Sequence, residues 1–128
     1  MAKKILSIIE SAYRGTLEEQ DDTIVWLMHA MRGAGAELSV ILRGNAVNYV
    51  VQGQDASGLS FGERRQTNPP RLEEDVAKLA AKGVPVFVVE DDLVERGLER
   101  SDVIEGVQLL SRNGMAKRIG SHDQVFHW

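Results

Sequence analysis

Apolar positions gather first in Ile5-Leu6-Ser7-Ile8-Ile9, a run whose shortness and β-branching predict a buried strand. A polar loop follows over residues 10–15. Thr16 with Glu19 three positions on matches a capping box and is expected to open a helix. Leu17, Ile24, Leu27, Met28 and Met31 then recur at helical spacing on one face, and Gly33 and Gly35 close the segment. A second strand is expected from Glu37 to Leu42 and a short helix from Ala46 to Val51. Leu72 to Lys82 is an amphipathic helix stopped by Gly83. Val84 to Val89 is the most apolar run of the chain and is expected to be a central strand, with Pro85 tolerated only at its start. A helix from Asp91 to Arg96 is terminated by Gly97. Val107 to Leu110 reads as a fourth strand, Met115 to Ile119 as a short helix, and Val125 to Trp128 as a fifth strand or a docked tail.

Strands alternating with helical segments define an α/β protein with a mostly parallel sheet. The near-continuous apolar strands indicate a sheet covered on both faces. The chain of 128 residues is expected to form a single domain over 1–128, five-stranded and flanked by helices. No repeat or linker interrupts it. The segment 52–70, with Gly53, Gly58, Gly62, Pro69 and Pro70, is expected to be irregular. Loops of that length are usually functional, interfacial or disordered.

Charge narrows the function classes. Fifteen Lys and Arg against nineteen Asp and Glu give a net charge of −4, so neither nucleic acid nor a membrane surface is an expected partner. No apolar run approaches the ~18 residues of a spanning helix. The basic-then-apolar start ends at Glu10 without a small-residue cleavage site, and the expected location is the cytoplasm. There is no cysteine, which excludes a disulfide, a thiol nucleophile and a persulfide on this chain.

Ligands of open parallel sheets sit beyond the strand carboxyl ends. Here those ends are Glu10 to Gly15, Arg43 to Asn45, and Glu90 to Asp92. Tyr13, Arg14, Arg43, Asn45 and Glu90 are the candidate pocket residues, together with Ser11. Against this stands the plainer role of satisfying loop backbone and subunit contacts. A nucleotide site is disfavoured: no Walker sequence exists, Gly33-Ala34-Gly35 follows its helix instead of preceding it, and Glu18 and Glu19 would repel a phosphate. The triplet Glu90, Asp91 and Asp92 suits acid–base work or a hard cation, and more ordinarily caps the following helix. His122, Asp123 and His127 crowd one region, but strand geometry puts 123 and 127 on one face and 122 on the other, so no metal site is expected. His29 stands apart. Arg64 and Arg65 lie in the long loop as anion ligands or as solvated side chains. The aromatic close, Phe126 and Trp128, is expected to pack on the domain or on a partner. No catalytic residue and no cofactor are assigned, because no nucleophile–base pair can be named.

Several segments, in order, resemble the DsrE/DsrF/DsrH family, which includes the TusBCD sulfur-relay proteins. They are Tyr13-Arg14-Gly15-Thr16 after the first strand, Asn45-Ala46-Val47, Gly53-Gln54, Val84-Pro85-Val86, Leu93-Val94-Glu95-Arg96-Gly97-Leu98, Glu105-Gly106-Val107 and Asp123-Gln124-Val125-Phe126. The resemblance implies a DsrE-like, Rossmann-like three-layer domain and close-packed oligomers, commonly homo- or hetero-trimers and hexamers. It places the cysteine of the sulfur-carrying members at Val89. Valine holds no persulfide, so the carrier role does not transfer. Asp92 to Leu98 and the terminal Trp128 look like the DsrH/TusB branch, whereas the long loop and the length look like DsrE. The function implied is a non-catalytic homo-oligomer subunit or regulator of intracellular sulfur transfer, with a cysteine-bearing DsrE-type partner as the other possible associate. The alternative is a small-molecule or anion-binding protein, with or without enzymatic activity, that has its pocket at the strand carboxyl ends.

Overall fold

A computed structural model describes residues 3–14 and 22–128. Its five main strands are β1 (Lys4–Ile9), β2 (Glu37–Leu42), β5 (Val86–Val89), β6 (Gln108–Leu110) and β7 (Gln124–His127). They form one sheet in the order β6-β5-β2-β1-β7, with every pairing parallel. A separate two-stranded hairpin, β3 (Ser60–Phe61) with β4 (Arg64–Arg65), stands inside the segment expected to be irregular. The helices are α1 (Thr23–Gly33), α2 (Leu72–Ala81), α3 (Glu90–Glu95) and α4 (Met115–Gly120), and residues Gly44–Val50 form a 3₁₀ helix.

Strand alternation divides the apolar residues between two faces. Leu38, Val40, Leu42, Val86 and Val88 point to a large core completed by Val25 and Met28 of α1, by Ala46, Val47, Tyr49 and Val50 of the 3₁₀ helix, and by Val76 and Leu79 of α2. Leu6, Ile8, Ile41, Phe87 and Val89 point to the other face, where α4 supplies Met115. Burying each such side chain contributes about 1.5–3 kcal/mol, so both faces matter, but the first is much the thicker.

β2 occupies the middle of the sheet, and β5 is interior as expected, paired with β2 on one side and β6 on the other. Pro85 precedes β5 and its carbonyl accepts the Val40 amide at 2.9 Å, a role open to proline because only its donor is missing. The Thr16/Glu19 capping box and Leu17 lie outside the described residues. Within them α1 begins at Thr23, and Asp22 is its cap, accepting from the Ile24 and Val25 amides. The chain's closing residue docks on its own domain: the Trp128 indole donates to Ser7 Oγ at 2.9 Å, and its carbonyl accepts the Glu10 and Ser11 amides. Among the described residues no helix is long and apolar enough to cross a membrane.

Candidate functional site

All five strands point their carboxyl ends the same way, and the loops there carry polar groups from well-separated parts of the chain. Asp92, in the first turn of α3, is buried. Its carboxylate accepts the Gly44 amide at 2.8 Å and a guanidinium nitrogen of Arg112 at 2.5 Å. Burial pushes its pKa up, but the Gly44 amide and Arg112 outweigh this and hold it below the ordinary carboxylate value. Arg112 also donates to Glu95 at 2.8 Å, and its amide to Asp91 at 2.9 Å. The hydrogen bond to Glu95, with that to Asp92, raises its pKa further. Arg96 reaches back from the end of α3 to Asn45 Oδ1 at 2.8 Å and to the Asp92 carbonyl at 3.0 Å. Gly44 is a position that needs glycine: its φ is +55°, and a Cβ there would meet Glu10 Cγ at 3.1 Å.

The β1–β7 side is looser. Glu10 faces Arg43 Nε at 3.5 Å and His127 Nε2 at 3.3 Å, and all three side chains are partly exposed. Arg43 Nε is buried and has no hydrogen-bond partner, since the Glu10 approach is an ion pair only. Arg14 Nη1 is likewise buried and has no hydrogen-bond partner among the described residues. Next to it, buried Asp22 accepts from the Tyr49 hydroxyl at 2.5 Å and from the Arg14 amide at 3.2 Å. The Tyr13 amide in turn donates to Tyr49 Oη. Burial, then the Asp22 carboxylate, raise the Tyr49 pKa well above the ordinary phenol value. Tyr13 has φ +60°, the one positive value among described non-glycine residues, and its ring meets that of Tyr49 edge-on at 5.6 Å. Its own hydroxyl donates to Gln54 Oε1 at 3.2 Å, and burial raises its pKa too.

The five candidate residues therefore share one edge but are tied to different partners. Tyr13 and Arg14 belong to the Asp22–Tyr49 knot, Arg43 to Glu10, and Asn45 to Arg96. Glu90 is exposed at the start of α3 and joins none of them. The acidic triplet splits in the same way, with only Asp91 and Asp92 engaged. His122 bonds the Arg118 carbonyl, Asp123 accepts the Lys4 amide, and His127 turns to Glu10, so the three do not converge. Among the described residues no group of three or more His, Cys, Asp or Glu is placed to hold a metal. His29 links α1 to α2, bonding the Asp75 carbonyl and Lys82. Arg64 and Arg65 are exposed on the hairpin. Val89, the last residue of β5, is 0% exposed and is a core residue of the α4 face.

Sequence reasoning missed Tyr49, Arg96 and Arg112, whose partners lie 27, 51 and 20 positions away. No local spacing announces such pairs. Asp22 was findable, as an N-cap residue directly before the periodic run that starts at Ile24.

An all-parallel sheet with helices on both faces and its polar loops at the strand carboxyl ends defines a doubly wound α/β domain. The model of the DsrE/DsrF-like family matches residues 3–128, and the chain belongs to that family. Among solved structures the chain is similar to the ychN protein from E. coli, at 21% identity and TM-score 0.75, over 98% of this chain and 99% of that one. It is also similar to MTH1491, a protein of unknown function from Methanobacterium thermoautotrophicum, at 16% identity and TM-score 0.61, with both chains fully covered. No curated protein matches significantly.

Proposed function

We propose that this chain is a family member that carries no sulfur itself: a cytoplasmic, non-catalytic subunit that assembles as a homotrimer or homohexamer, or with a cysteine-bearing DsrE-type partner, and regulates or scaffolds sulfur transfer. One observation carries the reading. The position the resemblance gives to the persulfide cysteine holds Val89, closed inside the core, and the chain has no cysteine anywhere to supply a thiol. Surface apolar side chains support association: Trp26 on α1, Phe61 on the hairpin and Val94 on α3 are 60%, 65% and 66% exposed. The test is the rate at which a cysteine-bearing relative from the same source passes on its persulfide sulfur. Saturating amounts of this chain should change that rate at least about twofold. An unchanged rate would reject a regulatory role.

A second reading, an anion-binding pocket at the strand carboxyl ends, is supported by the buried, unbonded nitrogens of Arg14 and Arg43. Small anions should then raise the melting temperature at constant ionic strength, and Arg14→Ala and Arg43→Ala should each abolish the rise. Retention of the rise in both variants removes these residues from any site.

A further inference from the structure

The opposite end of the sheet holds a cleft with different chemistry. The register pairs Lys4 with Glu37 and Leu6 with Ser39. Alternation therefore puts Lys4, Leu6 and Ile8 on the same face as Glu37, Ser39 and Ile41. Leu6, Ile8 and Ile41 are roofed by α4 through Met115. α4 has only six residues, about 9 Å of helix, whereas β1 and β2 run about 20 Å. The helix cannot cover the whole face, and at the amino ends of the strands the sequence turns polar. A cavity of about 170 Å³ opens there, lined by Lys4, Glu37, Ser39, Arg118, Ser121 and His122.

Its cations are positioned and available. The Arg118 guanidinium carbon lies 4.3 Å from the Phe87 ring centroid, a cation–π contact that uses none of its N–H donors. Neither Arg118 nor Lys4 is ion-paired with a described carboxylate. The Arg118 carbonyl accepts from Ser121 Oγ at 2.8 Å and from His122 Nδ1 at 2.6 Å. A carbonyl only accepts, so His122 carries a proton on Nδ1 and leaves Nε2 as its free ring nitrogen. The two cationic side chains and the Ser39 hydroxyl supply donors suited to an oxygen anion, whereas Ser121 Oγ and His122 Nε2, with their protons committed to the Arg118 carbonyl, face the cleft's ligand as acceptors. Glu37, the single carboxylate of the lining, favours an anion that presents a protonated oxygen on that side.

We propose that this cleft binds a small tetrahedral oxyanion of the hydrogenphosphate class, independently of any ligand at the strand carboxyl ends. The cavity has room for one such group and a few waters at ~30 Å³ each. Titration calorimetry with inorganic phosphate, at constant ionic strength and with chloride as control, tests it. Saturable one-site binding is expected. Arg118→Met removes the guanidinium, leaves an apolar side chain to cover Phe87, and should weaken binding about tenfold or more. Lys4→Ala, on an exposed residue, should weaken it several-fold and covers the case in which the Arg118 variant fails to fold. Absence of saturable phosphate binding overturns the proposal. So does binding that both variants retain, or binding that Arg43→Ala abolishes while Arg118→Met and Lys4→Ala keep it.

Discussion

Beyond β5 and β6, one buried carboxylate, Asp92, is bonded to the Gly44 amide and to Arg112, and Arg96 bridges from the same helix to Asn45. Beyond β1 and β7, Glu10, Arg43 and His127 meet at 3.3–3.5 Å with their side chains half in water. The two halves of one sheet edge use the same residue types for different ends. In the first half the charges are consumed in tying α3, the β2 loop and the β6 loop together. In the second, guanidinium nitrogens of Arg14 and Arg43 are buried without a hydrogen bond to any described residue. Charged residues at a strand end are thus no guide to ligand binding until their partners are known. The spare capacity lies on the β1–β7 side.

The largest expected effect is on the tied half. Asp92→Ala leaves the Gly44 amide and Arg112 without their acceptor, and should cost about 3 kcal/mol in denaturant unfolding. A loss under about 1 kcal/mol would mean that the network is incidental. The acid limb sharpens this. Because the folded pKa of Asp92 is depressed, its contribution is complete above the unfolded carboxylate range and fades as pH falls below about 4 through the folded value. Asp92→Asn should flatten that part of the stability profile.

Tyr49→Phe comes next, at about 2 kcal/mol, since Asp22 and the Tyr13 amide each lose a buried partner. It should also release Tyr13 from its positive φ, visible as faster amide exchange over residues 11–14. Unchanged exchange would show that the loop holds itself. Arg43→Ala should be smallest, within about 0.5 kcal/mol, as expected for a partly exposed ion pair. A cost like that of Asp92→Ala would erase the distinction between the halves.

The strands were legible because each is a short apolar run between turn residues, and all five lie within two residues of their expected bounds. The capping box expected at Thr16 and Glu19 lies outside the described residues, and the cap at Asp22 that opens α1 at Thr23 was not singled out from the spelling of the chain. The hairpin at 60–65 escaped because two-residue strands leave no period to read. The parallel topology places the candidate residues along one edge of the sheet. Their grouping was not readable, because it depends on side-chain pairs such as Arg96 with Asn45 that only the fold brings together. Val89, the position to which the resemblance assigns the sulfur-carrying cysteine, is completely buried and serves the α4-side core.

The central claim is association without sulfur carriage. The most direct test is the native mass of the pure protein, alone and mixed with a cysteine-bearing DsrE-type relative from the same source. The account predicts a trimer or hexamer alone, or a new mixed assembly with the relative. A monomer in both measurements would contradict it.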